Sequence, residues 1–513
     1  MMVLVVRLRV VVLFLMLPVL LAGSLGGSVS SEAPTGLPTG PHEALSLAVV
    51  AAGLPLEGVI GRADPGPPSV DLESAYGRLA TLVGAEREPV WDGLDGDLER
   101  GLVILLDAMH HAVSLQQGAV AAMDLVSAEA VAEAYRTWRH DGMREGLLSA
   151  WGDGLPGLDR TAVAAAAWTL LDAGLRAAPH LERAVDEATA PFLGVAFAAS
   201  CLQADFILLL CSTGDDTLEG DHLLQVDLGG DDLHLGNSGG SGLPLLWPTA
   251  NGLPAAVSLD LSGADVYRAA GSAIGVGSTT PGVLIDLLGD DHYEATDRFF
   301  TFTQGAGNLG GVGVLFDADG SDAYVVAEGR DANGDTAWDS QGFGILGGIG
   351  LLIDTLGNDG YLGGTMSMGV GDFDAVGMLV DTSGRDDYSA VRWSQGFGDG
   401  GGLGLLLDSI GDDDYTLSGP GDLDGLQGQG AGLGGLGALV DGAGIDRYTA
   451  SGQAQGWGTG GKAFKPVDDL LVLLGLPHPG AGLLVDLGGP DSYSGPGGDS
   501  QAWTQGTGVG VDV

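Results

Sequence analysis

Along the first two hundred residues, apolar positions recur at spacings of three and four, the period of one helix face. Asp71–Gly84, Leu98–Val126, Ala128–Trp151 and Arg160–Ala188 carry this pattern with many alanines. Pro156-Gly157 and Pro179 punctuate it. The prediction is an α-helical domain over 42–200. Ahead of it, the apolar run Val10–Ala22 follows Arg7 and Arg9 and precedes the small-residue stretch Gly23–Ser28. That is the layout of an export signal, assigned to 1–27, and the run is short for a membrane span. A Pro/Gly/Ser-rich linker at 28–41 follows, so the mature chain is expected to have no transmembrane helix. Past residue 200 the pattern changes. Short apolar runs such as Gly350-Leu-Leu-Ile-Asp354 and Gly404-Leu-Leu-Leu-Asp408 alternate with glycine clusters. Glycine at ~1 kcal/mol per residue would dissolve a helix there, so these runs read as buried strands.

The strands repeat. The line Asp-x-x-Gly-x-Asp-x-Tyr begins at Asp227, Asp260, Asp286, Asp317, Asp354, Asp381, Asp408, Asp441 and Asp486. Its second acid is Asp232, Asp265, Asp291, Asp322, Asp359, Asp386, Asp413, Asp446 and Asp491. Tyrosine closes every copy except the first, which has His234, and Cys211–Leu218 is a degenerate opening copy. A second line, Gln-Gly-x-Gly, appears at Gln304, Gln341, Gln395, Gln429, Gln455 and Gln505, with Ile274 and Met368 in equivalent places. Asp354, Asp381 and Asp408 are spaced by 27 residues without insertion. A unit of this size cannot bury its own apolar face, and stacking the units makes a continuous core. The expected fold is therefore α+β and multidomain: an α-helical N-terminal domain, then a parallel β-helix or β-solenoid over 201–513 with an inserted segment at 462–479. Tyrosine would stack on tyrosine and glutamine on glutamine along the axis.

Composition sharpens the picture. The formal charge is −48, with 68 acidic and 20 basic residues. A chain without a basic face cannot neutralise phosphates, so nucleic acid is excluded as a partner, as is polybasic attraction to anionic lipid. Collagen is excluded because the 92 glycines do not fall at every third position. Only three acids after residue 200 are glutamate, namely Glu219, Glu294 and Glu328. General surface acidity would use both acids, so the short aspartate side chain matters, as in turns and oxygen-ligand cation sites.

In a parallel stack, equivalent residues lie ~4.8 Å apart, and two carboxylates there repel by ~3–4 kcal/mol at an effective dielectric of about 20. Two such columns need a neutralising partner. Turn capping alone would accept asparagine, and neither slot contains one. Hard oxygen donors point to Ca²⁺, with all eighteen repeat aspartates as candidate ligands. Gly289-Asp-Asp291-His-Tyr293 resembles the second half of the repeats-in-toxin nonapeptide, which forms a calcium-binding β-roll. The resemblance is partial, since the leading Gly-Gly is mostly absent and the period is 27. It implies a secreted, calcium-stabilised β-solenoid across residues 202–513. Asp331, Asn333, Asp335 and Asp339 add an insertion that resembles the start of an EF-hand-type loop, lacking its Gly and its final Glu.

The functional expectation is a secreted or cell-surface solenoid with a structural, adhesive or binding role toward cell-surface components or polysaccharide. The alternative is a β-helical polysaccharide lyase or glycoside hydrolase, for which the insertion with Lys462, Lys465 and His478, or Arg385 and Arg392, would break the repeat. Five Gly-x-Gly-x-x-Gly matches are the repeat seen through another template. Cys201 and Cys211 would be ~30 Å apart on one extended strand, too far for a bridge. Two buried thiols are expected unless the chain bends between them.

Overall fold

The computed structural model describes residues 37–85, 94, 96–141, 150–151, 154–186, 201–243, 251–296, 302–326, 338–419, 428–450, 454–459, 480–494, 502–506 and 508–512. The export-signal region, most of the linker, the insertion at 462–479, and Asp331, Asn333 and Asp335 lie outside them.

Six described helices come first: α1 (Pro41–Ala51), α2 (Leu56–Arg62), α3 (Leu72–Val83), α4 (Gly96–Val120), α5 (Leu125–Asp141) and α6 (Arg160–Asp186). The local chemistry fixes some ends. Asp71 caps α3 by accepting from Ser74 N–H at 2.8 Å, and Gly84 stops it in the left-handed region. Pro179 does not punctuate the helical pattern as expected: α6 runs through it. A break there costs packing, because Ala177, Ala178 and Leu181 all sit in the core. Two helices, α1 and α2, precede the four segments that the sequence pattern marks as helical.

Parallel strands follow in three long ladders and one short separate pair, an arrangement consistent with a parallel β-helix. The first contains the long strands, such as Ile349–Asp354, Val376–Asp381 and Leu403–Asp408, paired residue for residue so that Asp354 meets Asp381 and Asp381 meets Asp408. The second is made of short Gly-x strands such as Gly344–Ile345 and Gly371–Asp372. The third carries the tyrosines, with Tyr361 paired to Tyr388 and Tyr388 to Tyr415. Gln304-Gly305 and its equivalents turn the corners with two successive positive φ angles, and Ile274 and Met368 adopt the same conformation.

Long strands are buried on both faces. Alternation sends Ile349, Leu351 and Ile353 outward to the helices, while Leu352 faces the tyrosine core. That explains runs without polar alternation. The helices thus lie along the side of the first ladder. α6 packs on Pro281–Asp286 and Val312–Asp317, and α1 on Ile349–Asp354 and Val376–Asp381. At Gly174 an added Cβ would lie 2.2 Å from Ile285 Cδ1, so a larger residue there would have to push the Ile285 side chain aside.

Both ends of the first ladder are hairpins. Leu202–Ala204 pairs antiparallel with Leu208–Leu210, turning at Asp205. The bend brings Cys201 and Cys211 to a Cα separation of 4.0 Å, and they form a disulfide. The expectation of two free thiols is corrected: one extended strand was the wrong geometry. At the other end Ala502–Gly506 pairs antiparallel with Gly508–Asp512. Each hairpin covers an edge that could otherwise recruit another chain.

Candidate metal centre

Spacing decides where the acids point. In Leu352-Ile-Asp354 the leucine and aspartate share a strand face, and in Asp359-Gly-Tyr361 the second aspartate and tyrosine do the same. Both pairs turn inward. None of the eighteen repeat aspartates is more than 8% exposed. The intervening turn is tight: a Cβ on Gly357 would lie 2.1 Å from Gly320 O and 2.5 Å from the Asp359 carboxylate.

Tyrosine rings stack along the axis at 4.7–4.9 Å between centroids from Tyr267 to Tyr493. Their hydroxyls bridge the first aspartate column. Tyr415 donates to Asp408 at 3.0 Å and to Asp441 of the next repeat at 2.8 Å. Tyr293, Tyr324, Tyr361 and Tyr388 reach Asp317, Asp354, Asp381 and Asp408 at 2.6–2.8 Å. Burial and the adjacent carboxylates hold these phenols well above their ordinary value, so they remain donors.

The second column is held by backbone. Oδ1 of Asp359 accepts from Asp322 N–H at 2.6 Å, and Oδ1 of Asp386 from Asp359 N–H at 2.6 Å. The same bond joins Asp386 to Asp413, Asp413 to Asp446 and Asp446 to Asp491 at 2.7 Å. Most of the carboxylates then have one oxygen left over, whereas Asp260, Asp381 and Asp486 have both oxygens hydrogen-bonded. Oδ1 of Asp286, Asp317, Asp354, Asp408 and Asp441 is buried without a hydrogen-bond partner. So is Oδ2 of Asp232, Asp265, Asp291, Asp322, Asp359, Asp386, Asp413 and Asp446.

Carboxylates of the two columns converge between repeats. Asp260, Asp265 and Asp286 bring carboxylate oxygens within 4.8 Å of one another, as do Asp291, Asp317 and Asp322, and Asp322, Asp354 and Asp359. Each trio draws on two successive repeats, so a cation there would tie neighbours together. Without one, the fold favours protons. Burial, then neighbouring carboxylates, pushes Asp291 up to about 11, Asp227 to about 10 and Asp265 to about 9. Burial likewise raises Asp413 to about 10, Asp386 and Asp446 to about 8, Asp322 and Asp486 to about 7, and Asp232 and Asp359 to about 6. Asp286, Asp317, Asp354, Asp381 and Asp441 lie well above the usual carboxylate range for the same reason. Buried carboxylates with unused oxygens can bind a metal ion or share protons.

Asp339 stands apart from the columns. It lies in the strand Trp338–Ser340, paired in parallel with Thr365–Ser367, so the ninth position of the EF-hand-type reading belongs to a ladder. Asp512 was missed: it pairs in register with Asp486 and extends the first column. Its signal was Gly508-Val-Gly-Val-Asp512, which matches the strand half of the repeat without the turn half. At the opposite end Asp216 N–H donates to Asp232 Oδ1, so the degenerate copy occupies the second column. Its first slot is Cys211, whose disulfide closes the column where a carboxylate would stand.

No family model, curated protein or solved structure matches the chain. Among the described residues, no helix is long and apolar enough to cross a membrane.

Proposed function

We propose that this chain is an exported, calcium-stabilised parallel β-solenoid, built of coils of about 27 residues, that serves in surface structure or adhesion. The observation that carries the reading is the double column of sealed carboxylates, most with one unpartnered oxygen, which cluster between successive repeats. An all-oxygen, all-anionic donor set suits a hard cation, and the pliable geometry of Ca²⁺ suits it better than Mg²⁺, which keeps waters that a closed interior does not accommodate. The Cys201–Cys211 bridge supports export, since disulfides persist in oxidising compartments. A binding role toward cell-surface components or polysaccharide follows from the length of the regular outer faces, as fold-level analogy. The repeat aspartates themselves are sealed from solvent and cannot touch a glycan, which weakens the lyase or hydrolase alternative where it relied on them.

Calcium titration of the chelator-stripped full chain by calorimetry, at neutral pH and low salt, tests the cation reading. Several equivalents with proton release are expected, because the carboxyls must ionise to bind. Absence of binding at millimolar calcium contradicts it. A screen of acidic and neutral glycans, scored separately for retention and for product formation, tests the role. Cleavage would reverse the assignment in favour of an enzyme.

A further inference from the structure

The first repeat breaks the column's chemistry at one residue. His234 occupies the tyrosine slot, stacked on Tyr267 at 4.2 Å between ring centroids. It pairs in register with Tyr267 in the third ladder. Where a tyrosine hydroxyl would bridge two first-column aspartates, the imidazole places a nitrogen. Nε2 lies 3.2 Å from Asp260 Oδ2, but out of line for a hydrogen bond. Asp227, His234 and Asp260 bring one donor atom each within 4.8 Å of one another. All three side chains are 1% exposed, and Asp227 Oδ2 has no hydrogen-bond partner.

The geometry points to a transition-metal site at this end of the column, formed by His234, Asp227 and Asp260 and suited to Zn²⁺. The donor set is what separates it from the repeats beyond. Imidazole nitrogen is a borderline ligand that favours Zn²⁺ over Ca²⁺, whereas carboxylates alone favour the hard cation. Two ligands on a tetrahedral zinc with bonds of ~2.0–2.1 Å stand ~3.4 Å apart. The observed 3.2 Å between Nε2 and Oδ2 fits a shared metal, and its misalignment disfavours a direct hydrogen bond. Asp232 lies against both Asp227 and His234 and keeps Oδ2 without a partner, so it can supply a fourth ligand atom. The competing arrangement is a protonated His234 held by Asp260 as an ion pair. The zinc site needs no calcium elsewhere, although it shares Asp260 with the neighbouring carboxylate trio.

The experiment uses the full chain, stripped of metal and returned to saturating calcium, with Co²⁺ as a spectroscopic substitute for zinc and Zn²⁺ as competitor. The expected result is one tight equivalent of Co²⁺ with the visible absorption of a low-coordinate nitrogen-oxygen site, displaced by Zn²⁺. His234→Tyr restores the residue used by the other repeats, so it preserves the stack while removing the nitrogen. That variant should lose the tight equivalent and keep its calcium titration. Asp227→Asn should weaken Co²⁺ as well, with the imidazole untouched. Equal Co²⁺ binding by wild type and His234→Tyr, or no tight Co²⁺ in the wild type, overturns the proposal.

Discussion

Replacing Asp359 by asparagine separates a cation column from a purely structural one. Oδ1 of Asp359 accepts Asp322 N–H at 2.6 Å, and an asparagine oxygen keeps that bond. The other oxygen, Oδ2, is buried without a partner beside Asp354, where an amide NH₂ could donate to the unpartnered Asp354 Oδ1. Burial raises Asp359 from 3.8 to about 6. At ~1.4 kcal/mol per tenfold change in proton affinity, that is about 3 kcal/mol against the charged form at pH 8. In chelator at pH 8, Asp359→Asn should therefore be more stable than wild type by up to about 3 kcal/mol, with the gain shrinking as the pH falls below 6. With calcium the order should reverse. The amide offers one oxygen where the carboxylate offers two, and the site loses a negative charge. Thermal and denaturant unfolding of the full chain, with and without calcium, read both halves. A variant as stable as wild type in saturating calcium would refute the cation column. A variant less stable than wild type in chelator would refute the claim that buried charge is the penalty.

The metal-free protein should lose stability as pH rises. These carboxyls have folded values above their unfolded one of ~3.9, so their contribution is full below about 4 and is lost as the pH climbs through about 6 at Asp359, 8 at Asp386 and 10 at Asp413. A melting temperature in chelator that rises from pH 5 to pH 9 would contradict this. Tyr361→Phe keeps the ring stack but removes the donor to Asp381 at 2.8 Å; a loss of about 1–3 kcal/mol is expected in denaturant unfolding, and no loss would mean the hydroxyl is idle. Reducing Cys201–Cys211, which closes a separation of 10 residues, should cost about 2–3 kcal/mol and expose the first strands to hydrogen exchange before the later ones.

Much of the repeat region was legible because its grammar is local. Asp-x-Tyr and Leu-x-Asp place acids and core residues on one strand face, and a 27-residue spacing requires that copies stack. The alternation could not say which side of the strand meets helices, so the lateral docking of α6 on Ile285 was invisible in sequence. Local reading also failed at the ends. Asp205 bends the chain in a conformation few side chains adopt, with φ of 52°, and nothing about its sequence context announces a hairpin. Asp512 lacked the turn that defined the motif, and Pro179 was outweighed by the core packing of its neighbours. The chemistry of the columns was half legible. Charge density pointed to cations, but the spare oxygen on most of the carboxylates emerges only when the backbone and tyrosine donors are counted in three dimensions.

Because α1 and α6 cover the strands that carry the columns, the decisive measurement belongs on the full chain. Calorimetric unfolding at pH 7.5 and low salt, with excess chelator and then with millimolar calcium, tests the central claim directly. The account predicts a large calcium-dependent rise in melting temperature at pH 7.5, and a much smaller one at pH 5, where protons already occupy the carboxyls. An identical melting temperature with chelator and with calcium at pH 7.5 would contradict it.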